Sequence, residues 1–388
     1  MTTIFIFWTR PLDVNRGGVH RIIYILLTRL IKMGYEVYYV YTEDNYQSFR
    51  VHNNPNLFIK RNELRQYLID NHCDIILGQD AVYSSDLSVL VKEMCLPRVK
   101  YVAEYHNSIL LLESAFSRHY YKFMAQTSDS TISKIIYYFK QLTYPIWYRR
   151  SRAEERKNFL INSSIADKVL FLSEAEIPEV LRLAQCSKDK LVAINNPLSW
   201  DKIEDPSILN NKRKEVLIVS RLYNPEKRID RALKVWQILE SRGYTDWVLK
   251  IVGEGPHFEY LQKLSKQLNL KKVKWEGRQS SYSYYQTASI FMMTSACEGW
   301  GLTLTESMQT GTVPVAMDSY PALHNIITDG YDGCIIPDDD IQAYADKMEW
   351  LMNHPNERNE IAKNGLKSCR RFTIENIMNQ WNQMLKQL

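Results

Sequence analysis

The sequence predicts an α/β protein built from two doubly wound, Rossmann-like domains in series. Three observations carry that reading. Apolar runs of strand length alternate with amphipathic helical patterns, the signature of parallel βαβ units. The alternation starts twice, at IFIFW near the beginning and again at EVLIVSRL, 215–222. Between the two series, LVAINNPLS (191–199) ends a strand pattern on Asn-Asn-Pro, which suits a linker. At 388 residues the chain has room for two domains of ordinary size.

In the first series a strand at 3–8 leads through a loop at 9–18 into a helix at 19–33 and a strand at 36–42. Further buried runs stand at 74–78 (DIILG), 100–106 (KYVAEYH) and 168–173 (KVLFLS). The second series reads more plainly. Strands at 215–222, 248–255, 273–277, 289–296, 313–317 and 333–337 alternate with helices at 229–242, 257–268, 281–287, 303–310 and 321–327. Helices at 340–352 and 356–370 follow. The tail, 373–387, places Ile374, Ile377, Met378, Trp381, Met384 and Leu385 on one stripe. The expected organisation is a first domain over 1–196, a second over 197–370, and a helix within 371–388 packing back on the first.

Composition narrows the function classes. Hydrophobic residues at 45% and charged residues at 24% are ordinary for a globular chain and exclude disorder. The six cysteines contain no C-x-x-C pair, which excludes a zinc ribbon or a thioredoxin-like site and fits reduced thiols in a cytoplasmic protein. No apolar run approaches the roughly 18 residues of a membrane span, and the start lacks the basic and long apolar regions of a secretory signal. The net charge of +5 is all in the first half: residues 1–196 carry 25 Lys/Arg against 20 Asp/Glu, and residues 197–388 carry 24 against 24. Most of the excess lies in 118–157, with nine basic residues, three acidic ones (Asp129, Glu154, Glu155) and interleaved Tyr, Phe and Trp. That mixture fits a membrane surface or a lipid-linked partner, or else a long surface helix with aromatics packed beneath it. A nucleic-acid partner is not expected, because such proteins are more basic overall.

Ligands of doubly wound sheets bind at the carboxyl ends of the strands, so the loops just after strands matter. Loop 220–228 offers Arg221 and Lys227 ahead of a helix, a pairing suited to phosphate oxygens. Gly253-Glu254-Gly255-Pro256 has two glycines, but Phe258 stands where a dinucleotide fingerprint needs a third. It reads as a tight turn, or as a place where a ligand approaches the backbone at Gly253. Gly17 and Gly18 precede the first helix, whose free amides attract anions. The richest segment runs from Ala296 to Met308. It contains Glu298 and Glu306, with Trp300, Gly301 and Leu302 at a helix start. Two carboxylates flanking a phosphate cradle suit a molecule with hydroxyls at both ends, such as a nucleotide sugar.

E-G-W-G-L-T-L-T-E (298–306) resembles the E-x7-E motif of the large retaining GT-B glycosyltransferase family four. The resemblance extends through Gly17-Gly18, S-R-L…P-E-K-R-I-D, V-G-E-G-P, W-E-G-R and T-G-T-V-P-V-A…I-T-D-G-Y-D-G-C, in order. It implies that Arg221 and Lys227 bind the donor diphosphate and stabilise the departing nucleotide, and that Glu306 holds the ribose. It implies that Glu298 meets sugar hydroxyls, with amides from Trp300, Gly301 and Leu302. Gly18 would reach the phosphate, His106 would stand near the transferred sugar, and Arg278 would lie where the base is read. The implied donor is a UDP-sugar, with a GDP-sugar second, and no metal or other cofactor is required. The acceptor would be a hydroxyl of a saccharide or lipid-linked saccharide in bacterial surface-polysaccharide or lipopolysaccharide assembly, with peripheral contact at the inner membrane face through 118–157. A nucleotide-sugar epimerase or phosphorylase of the same fold is the alternative. The interval from Arg221 to Lys227 is one residue longer than the family's common spacing, which leaves Lys227 and Arg228 as rival phosphate ligands. Asp338-Asp339-Asp340 contains a D-x-D but is expected to form a solvated turn and a helix cap.

Overall fold

The computed structural model describes residues 1–14, 16–108, 117–128 and 130–388; Asp129 lies outside them. The chain divides into two compact units. One comprises Met1–Leu110, Arg150–Ser199 and Phe372–Leu388, the other Leu111–Arg149 and Trp200–Arg371.

The first unit holds strands β1 (Thr3–Trp8), β2 (Glu36–Tyr41), β3 (Ser48–Val51), β4 (Asn54–Lys60), β5 (Ile75–Gly78), β6 (Lys100–Tyr105), β7 (Lys168–Phe171) and β8 (Leu191–Ala193). They form one sheet in the order β4-β3-β2-β1-β5-β6-β7-β8. Strand β1 lies at its centre, parallel to both neighbours, and all six of its residues are buried. That two-sided burial explains why TIFIFW is apolar throughout rather than alternating. The antiparallel pair β3–β4 was not expected from sequence. It is short, edge-located and interrupted by Pro55, so it lacks the continuous apolar run that marked the other strands. Helix Gly18–Lys32 buries Ile22, Ile23, Leu26 and Leu30, and helix Ile374–Lys386 buries Ile377, Met378 and Trp381 in the same core. Tyr35 donates to Asn382 Oδ1 at 2.7 Å, fastening the C-terminal helix from its polar side.

The second unit contains β9 (Arg213–Val219), β10 (Val248–Val252), β11 (Val273–Gly277), β12 (Ala288–Met293), β13 (Val313–Asp318) and β14 (Cys334–Pro337). The order is β11-β10-β9-β12-β13-β14, with parallel pairing throughout. Chain order reverses between β9 and β12, the switch point at which the loops above two neighbouring strands diverge. Trp236 and Tyr344 are fully buried beneath this sheet.

Residues 117–128 and 130–149, which the expected division kept in the first domain, belong to the compact unit of the C-terminal sheet. The cause is local packing. Helix Arg118–Thr127 buries Tyr120, Tyr121 and Phe123, and Phe123 finds its cover edge-on against His257 and Tyr260, each at 5.0 Å. Among the described residues no helix is long and apolar enough to cross a membrane.

Candidate active site

The second unit brings Arg221, Lys227 and Glu298 into one linked cluster. Arg221 and Lys227 stand on the loop after β9, and Glu298 on the loop after β12, on either side of the switch point. Backbone bonds tie the loops together. The Ala296 amide donates to the Glu226 carbonyl at 2.7 Å, and the Thr294 hydroxyl donates to the Arg228 carbonyl at 2.9 Å. Lys227 Nζ then donates to Glu298 Oε1 at 2.7 Å, and Ser295 Oγ donates to the same oxygen at 2.7 Å. Burial works against the charge on Lys227, but the carboxylates of Glu298 and Glu226 outweigh it and raise its pKa above the ordinary value. Lys227 is therefore a charged ammonium at neutral pH. An ammonium carries three donors, and the Glu298 bond uses one.

Arg221 pairs with Glu226 Oε2 at 2.6 Å and lies 5.1 Å from the Tyr223 ring centre. Its side chain is 60% exposed. An ion pair so open to water is worth little and is readily exchanged for a better acceptor such as phosphate.

Arg228 has a different place. Its backbone takes the left-handed conformation (φ 48°) between the short turn Asn224–Lys227 and helix Ile229–Ser241. Its guanidinium is buried and grips Asp230 with two bonds, of 3.0 and 3.3 Å. Next to it, Arg231 lies 2.8 Å from Asp338 Oδ1 and 2.8 Å from Asp339 Oδ1. Asp340 caps helix Ile341–Asn353 by accepting from the Ala343 amide at 2.9 Å. The Asp338–Asp340 run is thus a helix cap joined to a buried arginine pair.

Gly301 occupies the N-cap of helix Leu302–Gln309 with φ 91°, and a Cβ there would sit 2.6 Å from the Tyr320 hydroxyl. Both constraints demand glycine. The first turn, opening at Leu302, carries no acidic residue, so its free amides face an anion without local repulsion. Trp300 and Glu306 are both buried, Glu306 in the second turn of that helix. Arg278 follows β11 and pairs with Glu254 at 3.0 Å on the surface. The missing side chain at Gly253 serves the protein's own backbone: a Cβ would lie 1.8 Å from the Ser220 carbonyl oxygen. Gly253 thus lets the loops after β9 and β10 close on one another, and the Leu222 amide donates to the Glu254 carbonyl at 2.9 Å.

The first unit carries Gly17, Gly18 and His106. Gly17 (φ 139°) turns the chain into helix Gly18–Lys32. His106 directly follows β6 and is buried, with Nε2 2.6 Å from Gln79 Oε1. Gln79 Nε2 in turn donates to Glu104 Oε2 at 2.8 Å, which fixes the amide so that its oxygen faces the histidine. An amide oxygen only accepts, so the proton of the imidazole is on Nε2. Burial lowers the His106 pKa to about 4, which keeps the ring neutral. Its Nδ1 is left as a buried acceptor with no hydrogen-bond partner among the described residues. Burial also raises Glu104 to about 7. Asp80, one residue beyond Gln79, accepts from Trp8 Nε1 at 2.7 Å and from the Thr9 amide at 3.0 Å, anchoring the loop after β1. Sequence reasoning passed over Gln79, Asp80 and Glu104. The available signal was the Gln-Asp pair just past the buried run DIILG.

Residues 201–368 match the family described as glycosyl transferases group 1. That stretch, which holds all six strands of the second sheet, is thus similar to group 1 glycosyltransferases. An uncharacterized glycosyltransferase of Haemophilus influenzae is 25% identical over 373 residues, covering 96% of this chain and 97% of that protein. The lipopolysaccharide 1,6-galactosyltransferase of Salmonella typhimurium is 25% identical over 260 residues, covering 61% of this chain and 70% of that one. Among solved structures, a point mutant of Staphylococcus aureus TarM in complex with fondaparinux, α-GlcNAc-glycerol and UDP superposes with a TM-score of 0.70, at 15% identity and 99% coverage of both chains. Anabaena HepE in complex with UDP gives 0.69 at 15% identity and complete coverage of both. The chain thus has the GT-B fold, with two Rossmann-like domains, and bacterial polysaccharide enzymes stand among the proteins it resembles.

Proposed function

We propose that this chain is a glycosyltransferase that moves a hexose-type sugar from a nucleoside diphosphate donor to a hydroxyl of a saccharide or lipid-linked saccharide, with retention at the anomeric carbon. The observation that carries the reading is the cluster at the β9/β12 switch point. There the charged ammonium of Lys227 is bonded to Glu298, the exchangeable guanidinium of Arg221 is paired with Glu226 on the same loop, and the acid-free helix start at Gly301–Leu302 follows Glu298 by a few residues. As the bond from anomeric carbon to phosphate oxygen breaks, negative charge grows on the leaving diphosphate. Preset cations and amides at that oxygen stabilise the transition state more than the ground state. Arg228 is engaged with Asp230, which supports Lys227 as the phosphate ligand. Glu298 takes sugar hydroxyls and Glu306 the ribose. Arg278 stands on the base side, and the amides of Trp300, Leu302 and Gly18 complete the polar contacts. His106 offers its bare Nδ1 to a sugar hydroxyl.

A UDP-sugar is the favoured donor and a GDP-sugar the second. The chain would act at bacterial surface-polysaccharide assembly in the cytoplasm. Thermal unfolding with a panel of UDP-, GDP-, ADP- and TDP-sugars tests the donor: the true one at 100 times its Kd adds about 2.7 kcal/mol of stability. Product analysis with and without a saccharide acceptor tests the reaction. Transfer giving the donor's own anomeric configuration is expected. Isomerised donor without acceptor would assign the site to an epimerase instead.

A further inference from the structure

Helix Thr131–Leu142 wears its polarity inside out. None of its residues is buried, yet large apolar side chains on it stand open to water: Ile132 at 71%, Ile135 at 65%, Leu142 at 63% and Phe139 at 58%, with Tyr138 at 59% beside them. Ile146, in the first turn of helix Tyr144–Ile165, is 60% exposed. The spacing 132, 135, 139, 142, 146 follows alternating steps of three and four, so the five side chains share one stripe across the junction of the two helices. The opposite side holds Ser133, Lys140 and Gln141, all partly covered. Lys140 Nζ lies 4.7 Å from the Trp147 ring centre and 5.8 Å from that of Tyr121. A helix facing water presents the reverse arrangement, and a contiguous exposed apolar stripe marks a binding surface.

Charge selects the occupant. From Ser130 to Ala153 the sequence has no Asp or Glu, while Lys134, Lys140, Arg149, Arg150 and Arg152 fall in the same span. A second copy of the chain would set cation against cation there. An apolar stripe whose only charged neighbours in sequence are cations matches acyl chains beneath anionic headgroups. The aromatics of the basic stretch do not all share that surface: Tyr120, Tyr121 and Phe123 are turned into the protein.

We propose that the junction of helices Thr131–Leu142 and Tyr144–Ile165 docks on an anionic phospholipid bilayer. Ile132, Ile135, Phe139, Leu142 and Ile146 enter the interface, and Lys134 and Arg149 meet the headgroup phosphates. The dock belongs to the unit that carries the phosphate loop. Tyr120, on the helix preceding it, shares a hydrogen bond with Tyr223, two residues from Arg221. The proposal deepens the reading of a lipid-linked acceptor and rests on it for its purpose, whereas the docking is measured without any sugar transfer.

The test is co-sedimentation of the full chain with vesicles of phosphatidylglycerol and phosphatidylethanolamine, against vesicles of phosphatidylcholine. At least tenfold stronger binding to the anionic vesicles is expected, weakening with salt. The triple change Ile135→Ser, Phe139→Ser, Leu142→Ser should reduce it at least tenfold, and Lys134→Gln with Arg149→Gln should reduce it severalfold. The triple variant should keep the wild-type melting temperature and the wild-type rate on a water-soluble acceptor, which shows that it folds. Equal binding to neutral vesicles, undiminished binding by the triple variant, or a wild-type dimer that the triple variant converts to monomer would each overturn the dock. A wild-type chain that binds vesicles yet transfers no sugar would sink the transfer reading and leave the dock standing.

Discussion

Two clusters of paired charges lie side by side in the second unit and look alike on paper. One joins Lys227 and Arg221 to Glu298 and Glu226; the other joins Arg228 and Arg231 to Asp230, Asp338 and Asp339. Consecutive residues, Lys227 and Arg228, belong to different clusters. They differ in what the pairing consumes. Asp230 uses both carboxylate oxygens on Arg228 and its amide on Asn224 Oδ1, and the pair is sealed at 6% and 8% side-chain exposure. In the other cluster Arg221 is open to water, and Lys227 has donors beyond the one given to Glu298. The first arrangement is a lock on the turn into helix Ile229–Ser241; the second holds charge ready for something else. Adjacent cations thus divide between holding the loop and serving the chemistry, and sequence order alone does not tell them apart.

The largest effect is expected where the lock is broken. Asp230→Ala leaves the Arg228 guanidinium buried without its bidentate partner, a change that costs about 3–5 kcal/mol. Urea unfolding should show that loss, while the fraction still folded keeps a donor KM within a factor of about two. A variant with wild-type stability and a collapsed KM would reverse the roles assigned to the two clusters.

Lys227→Ala should do the opposite. Removing one preset charge from a developing oxyanion lowers kcat by about 10²–10³-fold. Because its partner Glu298 keeps the Ser295 hydroxyl, the melting temperature should move by only a few degrees. Steady-state kinetics on the favoured donor and a melting curve on the same preparation give both numbers. Full activity with a large stability loss would make Lys227 a second lock.

The contrast also marks how far the sequence could be read. The six strands of the second sheet were legible because each is a short apolar run bounded by turn residues and followed by an amphipathic helix. The Glu298–Glu306 segment was legible because glycine, carboxylate and helix-start residues fall together within it. The division between Lys227 and Arg228 was not, since it depends on a left-handed backbone at Arg228 that no local pattern signals. At Gly253 the sequence leaves open a tight turn or room for a ligand, and what the missing Cβ makes room for is the Ser220 carbonyl, a contact between loops more than 30 residues apart. The placement of helix Arg118–Thr127 with the second unit was hidden for the same reason: Phe123 is apolar in either setting, and only the tertiary fold shows that it packs against His257 and Tyr260. The outward face of helix Thr131–Leu142 was concealed by periodicity itself, which reports that a stripe exists and not which way it points.

His106 carries the same question into the first unit, because its network is buried like the lock yet incomplete like the site. Gln79 accepts from Nε2, and among the described residues Nδ1 has no partner, so a purely structural histidine would waste a buried acceptor. If Gln79 positions His106 for the sugar, Gln79→Leu should lower kcat about tenfold and leave donor KM nearly unchanged, since the imidazole loses its fixed tautomer and orientation. The pH profile separates this from simple damage to the fold. With the His106 pKa lowered to about 4 by burial, the ring is neutral throughout pH 5–8, and wild-type transfer should show no acid limb from it there. With Gln79 gone, the Glu104 carboxylate, whose Oε1 lies 3.7 Å from Nε2, is the acceptor left to the imidazole, and it should draw the ring's pKa back toward its ordinary value near 6.5. Activity should then fall as the pH drops below about 7, because the added proton occupies the Nδ1 lone pair that the sugar hydroxyl needs. A variant whose kcat falls equally at every pH between 5 and 8 would place Gln79 among the packing residues and remove the argument that His106 is held in one tautomer for catalysis.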